Sequence, residues 1–546
     1  MRTRYPLLAL LTVALAAALT AQTVRQVDFA DVQNTTLDLI IQGDIDGLAA
    51  NDSAAHLIYE LERDRPFFFS GQLEWEDAHV ELRPQDGNAG APPLIIQQIG
   101  TGGESVDQLF RMRGISQLTL RGLVLTGRTN QGTYNDRIVR TSGDENVITI
   151  DECAIDDVGQ AAFRINGDGE RIYITNSTFN RLGRPSNPDN GRLFDNRSDG
   201  LDTLWFENNV VTNVTSRFYR SSADDVSEYV YMNRNTFVGA GQHGFDVREG
   251  AETFIFTNNI VADAIFLGRD TEDSFDSLGM RLPDARTVIQ LDTVNPMWTT
   301  VIENNNFFER QSSLDALPDF EVDDDGGQGD AQSPITGFYL NPAAQQAIGA
   351  TDATGAGTSN FSEHLDFTTG PASYAQFITA RAQDTTSGNE IPAADPFDTE
   401  GLDAYTLYSG INLGSTEPID RFVAFYDLCY DPASRSASAA GNGVTGAIGG
   451  QVEDCAGLSV PARAAADALG LSLAPNPTHG TVLLRLPEVH DDLDVTVLDA
   501  QGRVVRRLQA AGDQLGLDLS REASGLYFVR VATAAGQTSV LRVVRR

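Results

Sequence analysis

The chain contains no lysine, so all 39 of its basic residues are arginines, and they are outnumbered by 76 acidic residues, giving a formal net charge of −37. So large a negative charge repels nucleic acids and anionic membrane surfaces, and it argues against both as partners. A high-GC coding bias explains the missing lysine but not the acidic excess. Salt shortens the electrostatic screening length to about 3 Å at 1 M, which relieves the self-repulsion of such a chain. We therefore expect a halophilic protein from a saline habitat.

Cysteine and long apolar segments are also scarce. Three cysteines are too few for a disulfide framework. Cys153 lies in an alternating strand pattern, which predicts a buried thiol. Cys429 and Cys455 flank a stretch rich in Gly, Ala and Ser, and the sequence leaves open whether they pair. After the N-terminus, no stretch reaches the roughly 20 apolar residues of a transmembrane helix, so we expect no membrane span.

The N-terminus has the order of a secretory signal peptide. Two arginines precede an apolar run, and small residues follow it up to Ala21. The run is too short to span a bilayer. A lipid anchor is not expected, because no cysteine lies near the cleavage site. Residues 1–21 are therefore predicted to direct Sec export, and the mature chain is expected to be soluble or attached to a surface.

One short pattern recurs along the body of the chain: an apolar strand, a corner with Asn, Asp or Gly, and a second apolar strand. Its central apolar residues, 24 to 46 positions apart, are Leu120, Ile150, Ile174, Phe206, Met232, Phe256 and Ile302. A second apolar column runs between them, through Phe110, Ile138, Phe163, Phe194, Phe218 and Phe245. A single unit cannot bury its apolar side, whereas units stacked about 4.8 Å apart share a continuous core. The repeat predicts an all-β fold, a right-handed parallel β-helix (solenoid) followed by a small antiparallel β-sandwich.

Asparagines recur at one corner of these units, as in Asn208-Asn209 and Asn258-Asn259. We predict that they stack and hydrogen-bond along the helix axis, a structural role. The helix is expected to open near Leu37, under a cap, and residues such as 446–449 are expected to form closing coils. The predicted organisation is a signal peptide at 1–21, a cap with the first coils at 22–105, the β-helix core at 106–310, loop-rich C-terminal coils at 311–458, a linker at 459–471 and a C-terminal module at 472–546.

Three motifs define the C-terminal module, and they are carried by Pro475, Asn476, Pro477, Gly480, Gly502, Gly525 and Tyr527. In order and spacing they resemble the C-terminal sorting domain of type IX secretion cargo, although the final basic pair is arginine where lysine is common. From Leu471 onward there are 9 arginines and 8 acids, a net charge of +1, so the rest of the chain carries 30 minus 68, or −38. The resemblance implies a small antiparallel β-sandwich, passage across the outer membrane by the type IX machinery, and release or surface attachment. An ordinary immunoglobulin-like appendage is the alternative.

The chain has no nucleophile elbow, phosphate-binding loop, zinc-type cysteine pairs or His-Glu-x-x-His motif. Residues 323–327 are acidic and glycine-rich, yet they lack the alternate-residue spacing of a calcium loop, and a solvated acidic loop is the favoured interpretation. No cofactor is predicted with certainty, Ca²⁺ remains open, and a metal site cannot be assigned.

The second apolar column carries the candidate binding face. Alternation from its inward residues turns a mixed set of side chains outward: Arg111, Arg113, Arg164, Asp195, Arg197, Tyr219, Asp246 and Arg248. Arginine forks suit the carboxylate or sulfate groups of acidic sugars, and an extended flank suits an extended polymer. Cross-strand Arg–Asp ion pairs on a solvated face are the alternative.

Residues 110–307 also resemble the pectin-lyase-like β-helical polysaccharide lyases, of the alginate lyase and chondroitinase B type. The resemblance implies β-elimination, with Arg248 in the role of the assisting arginine and Arg220 where those enzymes have a basic lysine. Arginine is a poor base because its pKa lies above about 12. Tyr219 or His243 would then have to take the proton, although His243 also fits a plain corner residue.

The sequence therefore favours an exported, monomeric β-helix protein, secreted or at the cell surface, whose partners are a polysaccharide and the type IX secretion machinery. Cleavage of an acidic glycan by β-elimination is the candidate reaction. A non-catalytic adhesin or structural protein is the first alternative. A glycoside hydrolase is the second, suggested by the abundant carboxylates, of which no pair can be placed together.

Overall fold

The structure is a computed structural model that describes most of the body of the chain and most of the C-terminal module. The described residues are 22–48, 55–87, 90–100, 103–184, 190–197, 200–222, 226–241, 244–247, 250–264, 287–291, 294–310, 339–350, 353–354, 358–368, 428–441, 446–452, 455, 472–474, 478, 480–499, 504–522, 525–533 and 538–545. The predicted signal peptide, residues 1–21, and the acidic segment 323–327 lie outside them.

Short strands follow one another through the body of the chain. They are β1 (Gln22–Val27), β2 (His56–Leu61), β3 (Pro66–Phe69), β4 (Leu73–Glu76), β5 (His79–Pro84), β6 (Leu94–Gln97), β7 (Gln108–Arg113), β8 (Gln117–Arg121), β9 (Val124–Thr126), β10 (Arg137–Thr141), β11 (Val147–Asp151), β12 (Ala154–Val158), β13 (Ala161–Ile165), β14 (Glu170–Thr175), β15 (Thr178–Leu182), β16 (Arg192–Asn196), β17 (Leu201–Glu207), β18 (Val210–Val214), β19 (Arg217–Ser221), β20 (Ser227–Asn233), β21 (Thr236–Ala240), β22 (Phe245–Val247), β23 (Ala251–Thr257), β24 (Ile260–Ala264), β25 (Ile289–Leu291), β26 (Thr299–Glu303) and β27 (Asn306–Phe308).

These strands form three parallel sheets, and each complete coil of the chain contributes one strand to each sheet. Sheet A has the order β1-β2-β5-β8-β11-β14-β17-β20-β23-β26, sheet B has β3-β6-β9-β12-β15-β18-β21-β24-β27, and sheet C has β4-β7-β10-β13-β16-β19-β22-β25. Sheet neighbours are therefore a whole coil apart in sequence. The predicted parallel β-helix is confirmed.

The strand register confirms the first apolar column in full. Leu120, Ile150, Ile174, Phe206, Met232, Phe256 and Ile302 pair in succession along sheet A, and all are buried. The second column follows sheet C with two corrections: Val139 and Tyr219 occupy the row that was assigned to Ile138 and Phe218. In both strands two apolar residues are adjacent, so alternation alone could not fix the face.

The predicted asparagine ladder is present at the corner between sheets A and B. The side-chain oxygen of Asn235 accepts from the backbone N–H of Asn209 at 3.0 Å, and its amide donates to the Phe206 carbonyl at 3.0 Å and to Asn259 Oδ1 at 3.0 Å. The same pattern continues through Asn305 and Asn360. The preceding corner residue is left-handed in each coil, for example Arg234 with φ 53°.

Neighbouring positions at this corner should respond oppositely to substitution. We expect Asn235→Ala to lower the free energy of unfolding by about 2 kcal/mol, because buried backbone and amide groups lose their partners. Arg234→Gly relieves a left-handed conformation that costs an L-residue roughly 1 kcal/mol, so we expect it to be neutral or stabilising. Urea unfolding of both variants checks this, and equal destabilisation would contradict the ladder's role.

Helices cover the two ends of the core. Helix α1 (Leu37–Asp46) buries Leu37 and Ile41 in the main core and packs on β3 and β4, the terminal strands of sheets B and C. Helix α2 (Pro342–Ile348) packs on β25 and β26 at the other end and buries Ala344. The first strand is β1, which pairs with β2. The predicted opening near Leu37 is therefore wrong, since Leu37 belongs to a helix that covers an end of the stack.

The last described part of the body packs against the side of the helix, with a short 3₁₀ turn at Arg435–Ser438. Residues 446–451 run along the axis: Gly449 N–H donates to the Asn258 carbonyl, Gly450 N–H to Thr236 Oγ1, and Gln451 N–H to Asn208 Oδ1. Each bond reaches an earlier coil. The prediction that residues 446–449 form closing coils is therefore wrong, and this segment is a strap over the outer face of sheet B.

All three cysteines can now be placed. Cys429 and Cys455 form a disulfide with a Cα–Cα distance of 5.4 Å, joining the strap to the chain that precedes it. Cys153 is a buried free thiol, as predicted, and burial raises its pKa to about 12. It is therefore a core residue without thiolate character at neutral pH.

The C-terminal module is a five-stranded antiparallel sheet. Its strands are β28 (Ser472–Ala474), β29 (Thr481–Asp499), β30 (Val504–Asp518), β31 (Gly525–Thr533) and β32 (Thr538–Arg545). The long pair β29–β30 shifts register in the middle, and residues from both of its ends, such as Val482 and Val495, share one hydrophobic cluster. Sharing of a core by two halves of a long hairpin is the packing of a sandwich.

Candidate anion-binding face on sheet C

One row of charged and polar residues follows the outer face of sheet C. The strand register places its members side by side on successive coils: Glu74, Arg111, Arg140, Arg164, Asp195, Arg220, Asp246 and Gln290. They alternate along each strand with the inward column of Phe110, Val139, Phe163, Phe194, Tyr219 and Phe245, and that buried column fixes their direction.

Asp195 gathers several arginines. Its side chain is only 3% exposed. Four guanidinium groups lie within 4.0 Å of its carboxylate: those of Arg197 at 2.9 Å, Arg192 at 3.2 Å, Arg220 at 3.2 Å and Arg164 at 3.9 Å. Asp195 is therefore the centre of a cluster of four arginines on this part of the face, next to Asp246, which pairs in register with Arg220.

The other part of the row has three arginines on consecutive strands. Arg111 lies 3.5 Å from Glu74, which also holds Arg113 at 2.6 Å. Arg140 lies between Arg111 and Arg164, and within the described ranges no carboxylate comes within 4.0 Å of it. Like charges directly opposite each other on a sheet are destabilising. The free energy that this arrangement costs must be offset by stabilising interactions in the rest of the protein. Such a local cost is typical of a functional site.

The pKa values of these arginines reflect the crowding. Burial, reinforced by Arg137 and Arg197, lowers the pKa of Arg164 to about 10. Burial lowers the pKa of Arg192 to about 10 even though Asp195 opposes the shift. Burial and the neighbouring Arg111 also lower the pKa of Arg140. All three stay protonated at neutral pH, and an added anion would stabilise their charged forms.

The buried Nε groups indicate unused hydrogen-bonding capacity. The Nε atoms of Arg140 and Arg164 are inaccessible to solvent and have no hydrogen-bond partner of good geometry in the described part of the chain. A guanidinium offers five N–H donors in a fixed fork that matches a carboxylate or a sulfate. The face is therefore chemically suited to bind anions.

The structure brings together most of the residues that the sequence assigned to binding. Arg111, Arg164, Asp195 and Asp246 share the row, while Arg113 and Arg197 adjoin it through Glu74 and Asp195. The two aspartates are nearly fully buried, at 2% and 1% exposure. Their position among arginines suits them to hold guanidinium groups in place more than to meet a ligand.

Of the four candidate catalytic residues, the structure places one in the core and one on the outer row. Tyr219 was expected to face outward, but it is 1% exposed and lies in the main core beside Phe194, with a ring-centroid distance of 6.1 Å. That expectation is wrong, because the inward register falls on Tyr219 and not on Phe218. Arg220 is on the outer row and contacts Asp195. Arg248 and His243 lie outside the described residues.

Sequence reasoning missed Arg140. With Ile138 taken as the inward residue, alternation turned Arg140 into the core, whereas the structure makes Val139 the inward residue. A usable signal was present, because an arginine at a core position without a partner is improbable. Shifting that strand by one residue would have placed Arg140 beside Arg111 and Arg164.

The chain is thus a parallel β-helix protein with an arginine-rich outer face and a separate antiparallel C-terminal module. Residues 472–545 match the family described as the Secretion system C-terminal sorting domain. This module marks the protein for export by type IX secretion, to the cell surface or beyond it. Of its predicted motif residues, Gly480, Gly525 and Tyr527 fall within described parts of the module, while Pro475, Asn476, Pro477 and Gly502 do not. Comparison with curated proteins gave no match. None of the described helices is long and apolar enough to cross a membrane.

Proposed function

We propose that this exported protein binds an anionic polysaccharide along the outer face of sheet C. The observation that carries the proposal is the run of Arg111, Arg140 and Arg164 on consecutive strands, with Arg140 unpaired within the described ranges. Elsewhere the acidic chain repels anions, since its net charge is −37. A local excess of arginine in such a protein favours a ligand whose acidic groups meet this face alone.

The geometry favours a polymer over a small anion. Adjacent strands lie about 4.8 Å apart, so the arginines repeat along the axis at that interval. A polysaccharide with carboxylate or sulfate groups can contact several rungs at once, and the weak individual contacts then add. A high-salt habitat, which the acidic composition supports, would select for direct hydrogen bonds over long-range attraction.

We further propose β-elimination as the candidate reaction, supported by the resemblance to the β-helical polysaccharide lyases. Arg220 fits a group that neutralises a uronate carboxylate better than a base. With Tyr219 in the core, His243 becomes the first candidate base, and Arg248 the assisting cation. A non-catalytic adhesin or rod uses the same face for attachment and is the rival function. A glycoside hydrolase has less support, because the described residues of this face include no pair of exposed carboxylates.

Substitution of Arg140 tests the binding face. We expect Arg140→Gln to weaken binding of the preferred polymer about tenfold, corresponding to roughly 1.4 kcal/mol for a charge-assisted contact. Calorimetric titration with alginate, pectate, chondroitin sulfate and dermatan sulfate measures it, with dextran as the neutral polymer. Arg121→Gln is the matched control, since Arg121 is an exposed arginine on sheet A. Equal affinity in wild type and Arg140→Gln would contradict the proposed face.

The same polymers separate binding from cleavage. Unsaturated products of β-elimination absorb in the ultraviolet, so a lyase shows a time-dependent rise that Arg248→Ala and His243→Ala abolish. Binding without any rise, with Ca²⁺ present and absent, would favour the adhesin. If the protein neither binds nor cleaves any of these polymers, the arginine face has a structural role only, and the proposed function is rejected.

A further inference from the structure

A second cluster of functional side chains lies on sheet A, two coils from the start of the stack. His56 on β2 and His79 on β5 are paired in strand register, and their imidazole rings stack with centroids 3.7 Å apart and an interplanar angle of 5°. Glu81, two residues beyond His79 on the same strand, places Oε2 2.9 Å from His56 Nε2. One potential ligand atom from each of the three residues lies within 4.8 Å of the other two.

The donor set matches a borderline divalent metal ion. Two imidazoles and one carboxylate are the three protein ligands of many zinc sites that keep a fourth position for water. Imidazole also suits copper and nickel, whereas Ca²⁺ and Mg²⁺ prefer oxygen ligands. Ligand atoms of a tetrahedral zinc ion are roughly 3.4 Å apart. Small side-chain rotations would therefore bring these three residues to coordination distance.

Neighbouring residues hold the ligands in place. Thr119 Oγ1 lies 2.9 Å from His79 Nε2, and Arg83 donates to the other oxygen of Glu81 at 3.1 Å. Partners of this kind orient metal ligands and tune their affinity. Arg83 also donates to Glu60 at 2.6 Å, so its charge is shared with a second carboxylate. The His56 side chain is 20% exposed and that of Glu81 is 6% exposed, which leaves a path for an ion from solvent.

From this geometry we infer that His56, His79 and Glu81 form a binding site for a divalent transition-metal ion of the zinc type. The site is on sheet A and is independent of the polymer-binding face on sheet C. It does not involve the sorting module.

Metal titration of the full chain, freed of metal by a chelator, tests the site. Zn²⁺ is titrated by calorimetry, and Co²⁺ is titrated by its visible absorption, which reports a tetrahedral N/O environment. We expect one high-affinity ion per chain, with the dissociation constant raised about 100-fold or binding lost in His79→Ala and in His56→Ala. Glu81→Gln should weaken binding about tenfold or more. Zn²⁺ should also raise the thermal midpoint of the wild type and not that of His79→Ala.

The control is His364→Ala, which removes a half-exposed histidine 3.1 Å from Asp366 and should leave the affinity unchanged. If His79→Ala fails to fold, His79→Gln keeps a polar side chain beside Thr119 and serves instead. Absence of wild-type binding would overturn the site. So would binding that persists unchanged in His56→Ala, His79→Ala and Glu81→Gln.

Discussion

Arg181→Ala is expected to lower the free energy of unfolding by about 3–5 kcal/mol, the largest single effect that we anticipate in the β-helix. The Arg181 guanidinium donates through Nε to Asp156 Oδ1 at 3.0 Å and through Nη2 to the second oxygen. Both residues are fully enclosed, with 2% and 0% exposure. Removing the arginine takes two charge-assisted hydrogen bonds away from a carboxylate that is 0% exposed. Urea unfolding, followed by far-ultraviolet circular dichroism, measures the change.

An exposed ion pair of the same chemistry provides the control. Arg25 and Asp44 are 2.8 Å apart, but their side chains are 44% and 35% exposed. We expect Arg25→Ala to cost less than about 1 kcal/mol. The double variant Arg181→Ala with Asp156→Asn should recover part of the loss, because it removes the stranded charge. If the double variant were no more stable than Arg181→Ala, packing and not charge would explain the effect.

The coil geometry could be predicted where apolar and polar residues alternate cleanly. Ile148-Thr149-Ile150 and Ile172-Tyr173-Ile174 allow one inward face, and their register was predicted correctly. At Ile138-Val139 both residues are buried, so the pattern carries no information about which one faces inward. One shifted residue turns every side chain of that strand to the opposite face. This is why Arg140 was missed.

The strap and the buried ion pairs lay beyond sequence reasoning for a different reason. Gly450 and Gln451 contact Thr236 and Asn208, more than 200 residues earlier in the chain, through single hydrogen bonds. Such contacts leave no local periodicity. Asp156 and Arg181 likewise occupy strand positions at which charged residues are normally exposed. Their burial follows from bringing two successive coils together, which one coil's sequence cannot reveal.

The sorting module was predicted correctly because its signal is compositional as well as local. Its motifs keep their order, and its net charge of +1 contrasts with −38 for the rest of the chain. The binding face had no comparable signal, since its arginines are spread over residues 111–220. They become a site only when the coils stack. This difference explains why export is established while the ligand is still a proposal.

A buried carboxyl group should make stability fall as the pH rises. Glu170, at the start of β14, is 0% exposed, and within the described residues neither of its carboxyl oxygens has a hydrogen-bond partner of good geometry, so burial raises its pKa from 4.5 to about 7. Below pH 4.5 the group is protonated in both the folded and the unfolded chain. Between pH 4.5 and about 7 the unfolded chain loses the proton first, so stability decreases through this window.

Glu170→Gln should remove this dependence. At one pKa unit per 1.36 kcal/mol, the shift corresponds to a loss on the order of 3 kcal/mol by pH 8. The glutamine variant is therefore expected to match the wild type near pH 4 and to exceed it in stability at pH 8. Urea unfolding at several pH values between 4 and 8 measures the difference in free energy of unfolding between variant and wild type. The contributions of the other titrating groups are the same in both proteins and cancel in this difference.

Glu309→Gln extends the same reasoning. Burial raises the pKa of Glu309 to about 7 as well, opposed by the hydrogen bond from Tyr339 at 3.1 Å. Because the two carboxyl groups belong to separate coils, the gains in stability in the double variant should add at pH 8 and vanish together near pH 4.

If the stability of the wild type and of Glu170→Gln changes with pH in parallel, Glu170 is ionised in the folded protein, and its burial is compensated by a charge or by water.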